Sequence, residues 1–194
     1  MRTWLILALV LVLLPGPATA QQLTPQDYYT QGEKAFREGK YDEAFNNFSL
    51  YCNTVPKDEN ADYARLFIWI ARTRQNHKAE ADLELAEALE TKWNAPQKSW
   101  VSQIAAFFLD QLSEKDFLAA AETPDSETVN QQHCEAWYYI GMKRLLAGDK
   151  TAAIDDFNKC LATKETDFTE YAFAQAQLKA LAIPATATSD KPPR

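Results

Sequence analysis

Five side chains are the natural places to look for chemistry: the chain's two histidines, His77 and His133, and its three cysteines, Cys52, Cys134 and Cys160. His133-Cys134-Glu135 sets three potential ligands in a row. Consecutive helical residues point about 100° apart, so these three do not converge on one ion. No second ligand pair follows at the spacing a zinc site uses. The same adjacency places His133 badly for deprotonating Cys134 in nucleophilic catalysis. No G-x-S-x-G, phosphate-binding loop, H-E-x-x-H or C-x-x-C run occurs. These residues point away from an enzyme, and no cofactor or metal is expected.

The cysteines read more naturally as structure. Cys134 opens one helical segment and Cys160 lies near the end of the next. Two such helices run antiparallel, so both side chains fall at the same end of the hairpin. Cys134–Cys160 is therefore a disulfide candidate, subject to the separation a disulfide tolerates. Cys52 has no cysteine opposite it, because Pro25 stands at the matching place in its own hairpin. A buried thiol is the favoured reading for Cys52, and the odd cysteine of an intermolecular pair is the other.

The elements that carry these residues are organised around residues 134–165. There Trp137, Ile140 and Gly141 are followed by Gly148-Asp149, Ala153 and Phe157. A second copy runs through Tyr28, Gly32, Gly39, Tyr41, Ala44, Phe48 and Pro56 with the same spacing. The pattern resembles the tetratricopeptide repeat (TPR), a helix–turn–helix unit of about 34 residues. Each position has a physical job. Gly32 and Gly141 let paired helices approach, since a Cβ would hold them apart. Tyr28, Trp137, Phe48 and Phe157 fill the space between helices, and Ala44 and Ala153 are small enough to pack closely. Gly32 and Gly141 lie 109 residues apart, three periods of 34 plus seven. Two worn repeats and a short insertion are expected between them.

The first worn repeat spans residues 61–75 and 78–92, with Trp69 where the repeat glycine belongs and Gln75-Asn76-His77 as its turn. The second has an apolar helix from Trp100 to about Leu112, then a truncated one from Phe117 to Ala121 after a capping pattern at Ser113–Asp116. Residues 122–132 form the polar insertion. Residues 167–182 make an amphipathic helix suited to capping the end of the stack. The expected fold is all-α: a right-handed α-solenoid of about four TPR-like helical hairpins plus a C-terminal capping helix.

The two ends stand apart from this pattern. Arg2, the eleven apolar residues Trp4–Leu14, a Pro15-Gly16-Pro17 break and Ala18-Thr19-Ala20 read as a cleavable signal peptide over residues 1–20. Eleven residues are too few to span a bilayer as a helix, and no cysteine follows the break to take a lipid. No stable membrane anchor is expected. The repeat domain is assigned to residues 21–183 and a disordered tail to 184–194, after Pro184. Export implies the periplasm or the extracellular space, where disulfides persist. Removing the leader leaves 19 basic against 27 acidic side chains. That balance argues against nucleic acid as a partner.

What remains is a surface. In TPR arrays the first helices of the hairpins line a concave face that holds peptides or helices. Tyr29, Glu33, Phe36 and Arg37 from the first repeat would face that groove. Tyr63, Leu66 and Arg74 from the second, and Glu135, Tyr138, Met142 and Leu145 from the last, would join them. Aromatic and methionine side chains with a few charges suit a partner-binding groove. Each could equally pack against a neighbouring helix. The basic clamp with which some TPR co-chaperones grip a C-terminus is absent, since Tyr29 and Glu33 stand where it needs Lys and Asn.

The last repeat and final helix, with the FFLDQLSEKDFLAAA segment upstream, resemble the TPR region of exported bacterial proteins of the NlpI type. That resemblance implies a cell-envelope scaffold holding a protein or peptide partner, such as a protease or a peptidoglycan-processing enzyme, and implies a homodimer as one assembly state. A non-enzymatic adaptor is the first expectation. A structural accessory protein that homo-oligomerises through its terminal helices is the second.

Overall fold

The computed structural model describes residues 23–93, 99–122 and 126–182. The expected leader (1–20) and tail (184–194) lie outside the described residues, as does the expected Asn94-Ala95-Pro96 punctuation. The described chain is entirely helical. In order it runs α1 (Pro25–Arg37), α2 (Tyr41–Thr54), α3 (Glu59–Arg74), α4 (Lys78–Thr91), α5 (Trp100–Phe108), α6 (Glu114–Ala120), α7 (Ser126–Leu146), α8 (Lys150–Ala162) and α9 (Thr169–Ala182). Each helix packs on its successor, and hairpins stack as in a helical-repeat solenoid. No helix among the described residues is long and apolar enough to cross a membrane.

Local chemistry starts and stops these helices. Thr24 opens α1 with a capping box: the Asp27 N–H donates to Thr24 Oγ1 at 3.2 Å, and the Asp27 carboxylate accepts from the Thr24 N–H at 2.7 Å. Such a cap contributes on the order of 1 kcal/mol. Pro25 occupies the first helical position, where its missing N–H costs nothing.

The four hairpin turns share one construction. Gly39, Asn76, Asp110 and Gly148 all take positive φ, between 60° and 88°. In each case the next residue's N–H bonds back five residues: Lys40 to Ala35, His77 to Arg72, Gln111 to Ala106 and Asp149 to Arg144. This is the Schellman motif, which satisfies the last carbonyls of the helix it ends. The worn repeats have kept the turn and replaced its glycine with Asn and Asp, the non-glycine residues that best tolerate this conformation.

Inside the two well-marked hairpins, the glycines serve close packing. A Cβ on Gly32 would lie 2.8 Å from the Phe48 ring, and one on Gly141 would lie 2.7 Å from the Phe157 ring. Ala44, Ala153, Phe48 and Phe157 are fully buried, whereas Tyr28 and Trp137 are half-buried. Lys159 sets its ammonium 4.1 Å over the Trp137 ring. Pro56 follows the end of α2 and is exposed.

The worn repeats differ for a steric reason. Trp69, in the glycine's place, turns its ring onto Phe108 at 4.2 Å and donates its indole N–H to Asp82 at 2.8 Å. Beside it a cavity of about 330 Å³ lies between α2, α3 and α4, lined by Phe45, Trp69, Ala81 and Leu85. The third hairpin is short on both sides, because the Asp110 turn ends α5 at Phe108 rather than at Leu112.

One expectation is corrected. The helix expected to open at Cys134 begins at Ser126, so residues 126–132 of the polar stretch are the first two turns of α7. Its Glu and Gln residues form helix readily. Asn130 donates its amide to the Thr163 carbonyl at 3.0 Å and so ties the extension to the end of α8. Polarity there reports partial exposure, not conformation.

Candidate functional site

The inner side of the stack is built by α1, α3 and α7, the first helices of their hairpins, and α9 lies against it. Phe173 of α9 stacks on Phe36 of α1 at 4.7 Å and meets Phe67 of α3 at 5.1 Å and Tyr138 of α7 at 6.0 Å. Thr169 donates its hydroxyl to Glu33 at 2.8 Å, and Arg74 donates to the Gln177 side chain at 3.3 Å. The final helix thus covers the end of α7–α8 and also reaches across to the first hairpin.

This arrangement corrects much of the expected groove. Phe36, Leu66, Tyr138 and Met142 have no exposed surface, and Tyr29, Glu135 and Leu145 are buried. A partner finds no open apolar face on Phe36, Leu66, Tyr138, Met142 or Leu145, because they belong to one continuous core. Phe36 and Tyr138 are covered by Phe173 itself. Glu33 and Arg74 are half-buried and engaged in seating α9; Arg74 also stacks over Tyr41 at 5.5 Å. Of the expected groove residues, only the half-buried Tyr63 and the exposed Arg37 retain free surface with no polar contact to α9.

An opening does remain at the N-terminal end of α9. It is a cavity of about 250 Å³ lined by Tyr29, Asn60, Tyr63, Glu135, Asp167 and Glu170. Two of its carboxyls are deeply buried. Glu135 accepts from the Trp100 indole N–H at 2.9 Å, and Glu170 accepts from the Tyr139 hydroxyl at 2.6 Å. Among the described residues neither forms an ion pair with Lys or Arg. Burial raises both carboxyls, because a carboxylate loses its hydration there. Glu135 stands well above the ordinary carboxyl value, pushed first by burial and then by the Glu170 charge. Glu170 is raised from 4.5 to about 7, mainly by burial; the Tyr139 hydrogen bond partly offsets this, and the Glu33 charge adds to it. Burial likewise pushes the Tyr29 phenol up. Both carboxyls therefore keep their protons to higher pH than an exposed carboxyl does, and a positive charge entering the cavity favours their ionised forms.

Glu170, Trp100, Asn60 and Tyr139 were not singled out by sequence. For Glu170 a signal existed. It lies three residues before Phe173 and seven before Gln177, on the stripe of α9 that faces inward. A carboxylate on a buried stripe marks a polar interior. The remaining residues likewise stand where the sequence drew attention to other chemistry. His77 is exposed at the α3–α4 turn, and His133 meets Glu122 at 3.1 Å.

Comparison with protein-family models and with curated proteins returns no match for this chain.

Proposed function

We propose that the protein is a non-enzymatic adaptor of the TPR type, exported to the cell envelope, which holds a segment of a partner protein. The observation that supports this reading is the repeated hairpin with an acidic, tyrosine-lined cavity on its inner side. Stacked hairpins create curved inner surfaces, and their partners are typically extended peptides or helices. Here α9 already occupies most of that surface, so the partner's segment enters at the cavity beside Asn60 and Tyr63. A basic side chain suits it: the tyrosine faces attract a cation, and Glu135 and Glu170 ionise to meet one. An NlpI-like envelope scaffold is the finer form of the proposal.

The second reading, a structural protein that pairs with its own copy, is favoured by exposed apolar residues, although Leu83, 72% exposed, lies on α4 rather than on the terminal helices first expected to pair. Photo-crosslinking in the native envelope separates the two. A photoreactive residue at Asn60, on the cavity rim, should trap a partner protein, whereas one at Leu83 on α4 should not. A self-adduct at Leu83 alone would favour the structural reading. No adduct at Asn60 would overturn the cavity as the contact site.

A further inference from the structure

Cys134 and Cys160 are both fully buried, on α7 and α8, and are 26 residues apart in sequence. Their sulfurs lie 3.5 Å apart. Cys160 also approaches the Glu170 carbonyl at 3.9 Å, so the pair sits where α7, α8 and the start of α9 meet. Cys52 is elsewhere: its thiol donates to the Ala61 carbonyl at 3.4 Å between α2 and α3. We infer that Cys134 and Cys160 are an oxidisable dithiol that closes into a disulfide stapling the last hairpin beneath α9, while Cys52 stays a thiol.

The geometry needs only a small motion. The sulfurs must close to about 2.0 Å, a change within the reach of side-chain rotation when the two helices are already packed. The thiolate of one cysteine attacks one sulfur of a disulfide oxidant and expels that oxidant's other half as a thiolate. The thiolate of the other cysteine then attacks the first cysteine's Sγ in the mixed disulfide and expels the second half. Two electrons and two protons pass from the cysteines to the oxidant, which leaves as two thiols. Because both sulfurs are covered in the fold, the oxidant acts before α9 seats. Burial raises the Cys52 thiol and leaves it unreactive.

The test uses the full chain, reduced and unfolded, then refolded with oxidised glutathione, quenched in denaturant and alkylated. One alkylated cysteine is expected, Cys52, in a protein lighter by two hydrogen atoms, with the peptides of Cys134 and Cys160 linked. The C52S variant should give the same linked peptides and no alkylation, which keeps the outcome readable should C134S or C160S misfold. Reducing the bridge should lower the thermal midpoint by roughly 10 °C, the scale expected for closing a loop of this length in a domain of this size. Three alkylated cysteines in the wild-type chain, or a linkage through Cys52, would overturn the inference.

Discussion

Glu170→Gln isolates the energetic cost of burying a carboxylate in the inner cavity. The native carboxyl is raised from 4.5 to about 7. At 1.36 kcal/mol for each pH unit, the shift corresponds to roughly 3 kcal/mol. The sign follows from proton counting. Between pH 4.5 and 7 the folded chain binds a proton at Glu170 that the unfolded chain has released, so stability falls as pH rises. The contribution is fully present below 4.5 and is lost by the time pH passes 7. Gln keeps an acceptor for the Tyr139 hydroxyl but never ionises. Surface carboxylates such as Asp27 and Asp110 are lowered and slope the opposite way, so the useful quantity is the variant minus the wild type. Urea unfolding at pH 4.5 and pH 8 should show the variant gaining about 3 kcal/mol over the wild type between the two. The gain should be somewhat larger if Glu135, which Glu170 also pushes up, relaxes with it. A difference that stays flat across this range would mean that Glu170 meets water in solution and that α9 does not seal the inner face.

The remaining outcomes test the packing that creates that face. Phe173→Ala removes the ring shared by Phe36, Phe67 and Tyr138 and should cost about 3–5 kcal/mol in denaturant unfolding. Amide exchange should quicken along α9 more than along α2; unchanged exchange in α9 would refute its place in the core. Gly141→Ala forces a methyl against the Phe157 ring and should cost about 1–3 kcal/mol. Adding Phe157→Leu should recover part of that loss, and additive losses would show that the two residues do not touch.

Much of the fold was legible because repeat hairpins are local. Gly32 and Gly141 mark close helix contacts through the absence of a Cβ, and the large rings nine residues past each turn glycine fill the space so made. The turns at Asn76 and Asp110 were harder to read, since the backbone carries the motif and several residue types tolerate it. The helical start of α7 was hidden because Ser, Glu and Gln suit both a loop and an exposed helix.

The sequence by itself determined the all-helical architecture, the hairpin spacing and the placing of Cys134 and Cys160 at one end of a hairpin. Periodicity and residue size act within one or two turns, so a linear text records them. Only the tertiary structure decided what fills the inner face. Phe36 and Tyr138 carry the same residue types whether they await a partner or pack on Phe173, more than thirty residues beyond the nearer of them. Their fate depends on how far the stacked helices curve, a sum of small packing angles that no single stretch of sequence encodes. The packing of α9 on α7 brings Glu135 and Glu170 to one cavity, and shared burial rather than sequence proximity raises both carboxyls.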